Sequence, residues 1–148
     1  MPTILDVLNN FKSLNLRAEV PKIIQSADDF IITKNQNQLY RGKKSDGSDV
    51  GYYGSLTYAI DKEKRNSQPG FGKVDLYDTG DFYNGFFVEV KSDSYLIYSK
   101  DDKVGALVEK YSDDIFGLDS KNKDTFVNEV VYPGIKNYIQ AKTGLILR

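Results

Sequence analysis

The segment from Phe86 to Ser99 constrains the fold of this chain more than any other. Phe86, Val88 and Val90 alternate with Phe87, Glu89 and Lys91, then Ser92-Asp93-Ser94 intervenes, then Tyr95-Leu96-Ile97-Tyr98 follows. Alternation with a period of two places one set of side chains on each face of an extended strand. Two such runs around a short polar turn predict an antiparallel hairpin with one buried face. A short run at Val74–Leu76 is expected to add a third strand.

A hairpin alone is not stable in water, so the rest of the chain must cover its apolar face. Thr3 is placed to cap a helix running to about Leu14, with Ile4, Leu5, Leu8 and Phe11 on one stripe. A second helix is expected to begin near Pro21 and end in the polar run Asn35-Gln36-Asn37-Gln38, burying Ile23, Ile24, Ala27, Phe30 and Ile31. Ser55 or Thr57 can cap a short helix carrying Asp61-Lys62-Glu63-Lys64-Arg65, whose mixed charges read as a solvated face. Further helices are expected over Lys103 to Tyr111, with Val104, Leu107 and Val108 inward, and from Asp119 or Ser120 to Thr143-Gly144. The apolar loop Ile115-Phe116-Gly117-Leu118 separates them, and Pro133-Gly134 should kink the last one. The fold class is therefore α+β. A hairpin or small sheet at about residues 74–99 packs against N-terminal and C-terminal helices, and residues 1–148 form one domain. The stretches 41–54 and 66–72 are polar loops with Tyr or Phe nearby, suited to act as assembly arms.

Composition narrows the function. A chain of 148 residues buries roughly 70% of its unfolded surface, enough for a core without staples. Cys is absent and His is absent. These absences remove disulfides, thiolate zinc sites, Cys nucleophiles, the commonest general base and the commonest transition-metal ligand. The net charge of −1, from 20 basic and 21 acidic residues, lacks the basic excess of a general nucleic-acid binder. The start of the chain, Met1 to Asp6, has no basic run followed by an apolar stretch, and no run approaches a membrane-spanning length. A protein made in a cytoplasm is expected, with no membrane partner. Tyr and Phe, 11 and 8 residues, favour half-wet, half-apolar contact surfaces.

One constellation could carry chemistry. Glu89 and Lys91 share a strand face, and Asp75 lies upstream. Two carboxylates can hold Mg²⁺ while a Lys sits beside the attacking water. This pattern resembles the signature of the restriction-endonuclease-like nucleases, with Val74 in place of their usual Pro. The competing reading is that Glu89 and Lys91 are the solvated face of the hairpin, because alternation in a charged chain produces such pairs. Asp46-Gly47-Ser48-Asp49 lacks the alternating acids and closing Glu of a calcium loop and reads as a turn. Gly70-Phe71-Gly72 has no helix and no Lys-Ser/Thr after it, so it is no phosphate cradle. Tyr52, Tyr53 and Tyr58 lack the interleaved basic residues of a base-stacking groove.

The block Val74-Asp75-Leu76-Tyr77-Asp78-Thr79-Gly80-Asp81-Phe82-Tyr83-Asn84-Gly85-Phe86 resembles the Leu-x-x-Thr-Gly-x-Leu-x-x-Ser-Ile block of the small neck and tail-completion proteins of tailed bacteriophages. Phe82 stands where that family has Leu, and Gly85 where it often has Ser. The order of elements around the block is also similar: a helix before it, a hairpin after it, then a short helix, an apolar loop (Phe-Leu-Gly in that family, Ile115-Phe116-Gly117-Leu118 here) and a C-terminal helix. The resemblance spans about residues 55–143. The variant Leu76 to Tyr83 further resembles structural genes of phages of Bacteroidetes hosts, including the crAss-like group.

The resemblance implies a virion structural protein made in the bacterial host cytoplasm. Copies would form a head–tail connector ring between portal and tail, with portal, neck and tail proteins as partners and DNA at most passing through the lumen. It implies no catalysis and no cofactor. Leu76, Thr79, Gly80, Phe82, Phe116 and Gly117 would then be motif and assembly residues. A third reading, an immunity-type or regulatory binding module, predicts a monomer that waits for one cognate partner.

Overall fold

Capping decides where the first helices begin. In the computed structural model, which describes residues 3–147, Thr3 and Asp6 form a reciprocal capping box at the start of α1 (Ile4–Lys12). Asn15 accepts the amide of Ala18 at 3.2 Å and starts α2 (Leu16–Ser26). Pro21 therefore lies inside α2 and does not open a helix, which corrects the sequence expectation. The Asn15 cap is available five residues upstream of the place where Pro21 would start one. After a break at Ala27, α3 (Asp28–Tyr40) runs through the whole Asn35-Gln36-Asn37-Gln38 stretch, where a helix end was expected. The stretch stays helical because Asn35 and Gln38 are buried and find partners on another segment.

Ser55 caps α4 (Leu56–Arg65). The short helix α5 (Asp81–Asn84) leads through Gly85 into β1 (Phe86–Val90), which pairs antiparallel with β2 (Tyr95–Ser99). The register Phe86↔Ser99, Val88↔Ile97, Val90↔Tyr95 stacks the apolar set on one face. Phe86, Val88, Ile97 and Ser99 on that face are buried, whereas Glu89 and Leu96 opposite are exposed. Among the described residues the sheet has two strands. Val74–Leu76 does not join it as the expected third strand. Leu76 has φ 57, a left-handed conformation that ends an extended run, and the amide of Tyr77 turns back onto the Asp75 carboxylate at 2.9 Å.

After the hairpin come α6 (Val104–Tyr111), a 3₁₀ turn (Asp113–Ile115), and α7 (Ser120–Phe126), which is capped by Asp119. The chain then widens into a π turn at Val127–Val131 before α8 (Tyr132–Thr143). Pro133 cannot donate to a preceding carbonyl, and the π turn just before it absorbs the misfit. Gly134 follows for a separate reason. A Cβ there would lie 2.8 Å from Ile23 Cγ2, so only Gly lets α8 approach α2. Gly144 ends α8 in the left-handed conformation, as the sequence predicts.

The helices sandwich the buried face of the hairpin. Ile31 and Leu39 of α3, Phe82, Phe86, Ile97, Ile115, Leu118 and Phe126 form the centre of one core. Phe116 lies 5.4 Å from Phe86 and 5.0 Å from Tyr98, centroid to centroid. The helix α1 packs on α8 but buries no residue fully. No helix among the described residues is long and apolar enough to cross a membrane.

Candidate functional site

The Thr-Gly block is built around a charge sealed inside the protein. Lys62 Nζ lies 2.8 Å from Asp75 Oδ1, and the residues are 4% and 1% exposed. Asp75 Oδ1 also accepts from the Tyr53 hydroxyl at 3.2 Å, and Oδ2 accepts from Asn66 Nδ2 at 2.9 Å. The Lys62 ammonium donates in addition to the Tyr77 carbonyl. The Tyr83 hydroxyl donates to the Asp75 carbonyl at 2.5 Å. A buried ion pair persists when its remaining donors and acceptors are met in this way. Burial first, and the Asp75 carboxylate second, push the Tyr53 and Tyr83 phenols well above the usual tyrosine range.

The four block residues sit on this base. Gly80 has φ 93 and starts α5, and a Cβ on it would come within 3.1 Å of the Tyr77 hydroxyl. Thr79 is exposed, and its Oγ1 accepts the Asp81 amide at 3.3 Å. Phe82 is driven into the core beside Phe86 at 5.1 Å. Leu76, Thr79 and Gly80 line a cavity of about 220 Å³ with Tyr58, Leu107 and Tyr111.

The second part of the motif, Phe116-Gly117, is joined to the first through Phe82, whose ring centroid is 5.8 Å from that of Phe116. What fixes the loop is a ladder of side-chain amides. Asn35 donates to the Ile115 carbonyl at 3.0 Å and accepts the Gly117 amide at 2.8 Å. Gln38 donates to the Gly117 carbonyl at 2.8 Å and accepts both the Asp119 amide, at 2.8 Å, and Asn122 Nδ2, at 2.6 Å. Gln36 reaches the Tyr83 carbonyl at 2.7 Å, tying α3 to the Thr-Gly block. Gly117 itself has φ 126, with Ser45 3.1 Å from where a Cβ would stand.

Sequence reasoning missed Lys62, Asn35 and Gln38 because their residue types suggest solvent. The signal was their spacing. Lys62 lies three residues after the buried Ala59, which puts it on the inward face of α4, so the reading of Asp61–Arg65 as wholly solvated fails at Lys62. Asn35 follows the buried Ile31 by four, and Gln38 follows Asn35 by three on the same face.

The proposed nuclease residues sit in unlike settings. Both Asp75 oxygens are engaged in the interior, whereas Glu89 and Lys91 are exposed on the hairpin. Among the described residues, no three carboxylates gather as a metal site.

The two loops expected as assembly arms are fastened to each other. Tyr52 bridges Lys73, the Tyr53 amide donates to the Gly72 carbonyl at 2.8 Å, and the Val74 amide donates to the Gly51 carbonyl at 2.9 Å. Asp49 receives both Lys43 and Lys73, at 2.5 and 3.3 Å. On the loops, Tyr52 is 65% and Phe71 55% exposed, and Leu56, at the start of α4, is 69% exposed. On another part of the chain, α1 leaves Ile4 90% and Leu5 63% exposed, with Leu8 and Phe11 beside them. Comparison with family models, with curated proteins and with solved structures returned no match.

Proposed function

We propose that this chain is a virion structural protein of a tailed phage, a subunit of a neck, connector or tail-completion ring between portal and tail. The observation that carries the reading is the set of large apolar side chains left exposed at two places in the chain, Ile4 and Leu5 on α1, and Tyr52, Leu56 and Phe71 on and beside the fastened loops. Large apolar side chains held out in water in contiguous groups mark contact surfaces. Two unlike contact surfaces on one chain permit head-to-tail association, which closes into a ring when the rotation is right. The resemblance of the Thr-Gly block to phage neck proteins supplies the location. The buried polar base beneath the block suits a subunit that must keep its shape under load.

The test is the purified protein, alone and mixed with its portal and neck neighbours, in sedimentation and negative-stain microscopy. Discrete closed rings of one diameter are expected. A chain that stays monomeric with those neighbours at every concentration, or that cuts DNA with Mg²⁺ and loses the cutting on Lys91→Ala, would overturn the reading.

A further inference from the structure

A groove of about 460 Å³ runs along β2. Four consecutive residues, Tyr95 to Tyr98, line one side of it, and the 113–117 loop lines the other. Consecutive side chains of a strand point to opposite faces, so a groove that touches all four lies at the strand's edge. No β1 residue lines it, so this is the edge turned away from β1.

The register decides which backbone groups stand there. The Lys91 amide donates to the Ser94 carbonyl at 2.8 Å, and the Lys100 amide donates to the Gly85 carbonyl at 2.9 Å. Opposed residues of an antiparallel pair alternate between bonded and unbonded. Between those two bonded pairs, Glu89↔Leu96 and Phe87↔Tyr98 are bonded, whereas Val90↔Tyr95 and Val88↔Ile97 are not. The N–H and C=O of Tyr95 and Ile97 therefore point into the groove, and no other backbone group among the described residues meets them. Ile97 is 3% exposed, so its two groups are unpaired and largely screened from water, a state that native backbones avoid. An extended chain laid along the edge would meet them.

Charge selects the kind of chain. Asp113 and Asp114 stand on the far wall, and no basic residue lines the groove. Among the described residues neither carboxylate has an ion-pair partner. The nearby Lys44 ammonium is held by the Tyr111 carbonyl at 3.1 Å. A second copy's β2 carries no basic residue, so pairing two such edges would leave the aspartates unmet.

We propose that β2 accepts an extended segment of a partner protein as a third strand. Apolar side chains alternate with Lys or Arg in that segment, and the basic ones face Asp113 and Asp114. The site holds whether or not copies of the chain close into a ring.

The probe is a short end-blocked peptide of alternating Val and Lys, read by amide hydrogen exchange of the protein. With the peptide, the amides of Tyr95 and Ile97 are expected to slow at least about tenfold, while those of Leu96 and Tyr98, already bonded to β1, change little. A peptide methylated on alternate backbone nitrogens, and one with Glu in place of Lys, should each bind at least about tenfold more weakly. Asp113→Lys together with Asp114→Lys should reverse the preference between the Lys and Glu peptides. Both positions are exposed, so far-ultraviolet circular dichroism of that variant should match the parent. No slowing at Tyr95 and Ile97 with millimolar peptide, equal binding of the methylated peptide, or an unreversed preference would overturn the proposal. Slowing of the same amides as protein concentration rises without peptide would put a second copy in the groove and would overturn it too.

Discussion

The Lys62 ammonium and the Asp75 carboxylate meet at 2.8 Å inside the protein, both closed to solvent. The pair joins α4 to the segment that opens the Thr-Gly block, and it holds that segment in a turn instead of a strand. Removing one partner leaves the other buried with no counter-charge. Lys62→Met should destabilise the fold by about 3–5 kcal/mol in urea unfolding, whereas Lys62→Met with Asp75→Asn should cost clearly less than the sum of the two single changes. Additive single changes would mean that the two groups do not interact.

The amide ladder makes a second, independent prediction. Gln38→Leu keeps the bulk but orphans the Asp119 amide and the Gly117 carbonyl, at about 1–3 kcal/mol for each buried group left unmet. Hydrogen exchange should accelerate at the amides of Gly117 and Asp119, with the hairpin amides affected only to the extent of global destabilisation. Unchanged protection in the 115–119 loop would show that the ladder does not hold it.

Packing between α2 and α8 depends on Gly134. Gly134→Ala puts a methyl 2.8 Å from Ile23 Cγ2 and should cost about 1–3 kcal/mol. Ile23→Ala alone should destabilise, yet in the Gly134→Ala background it should relieve the clash, so the thermal midpoint of the double variant should exceed the additive value. A double variant that is merely additive would remove the close approach as the reason for glycine.

Alkaline titration reads the buried phenols. Tyr53, Tyr83 and Tyr95 are raised by burial, the first two also by Asp75. The folded state therefore holds protons that the unfolded chain releases near pH 10, the ordinary phenol value. Their linked stabilisation is fully present below about pH 10 and is lost as pH rises beyond it. In absorbance near 295 nm, a fraction of the 11 tyrosines should ionise only in step with unfolding. Phenols that all titrate reversibly before the fold is lost would contradict the buried network.

Local pattern was enough for the hairpin, its buried face, the helix caps at Thr3, Ser55 and Asp119, and the stop at Gly144, because each is set by residues near one another in the chain. Tertiary structure alone decided the fate of the polar residues. Asn35, Gln38 and Lys62 are inside because partners some 80 residues away for the first two, and 13 away for Lys62, meet their hydrogen bonds there. No local rule anticipates such a partner. The same is true of Val74–Leu76, apolar enough for a strand but turned aside by Asp75, and of α1. Its stripe has the periodicity of a core helix, yet Ile4 is left mostly exposed and Leu8 and Phe11 only about half covered. Periodicity says which side of a helix is apolar; only the packed whole determines whether anything covers that side.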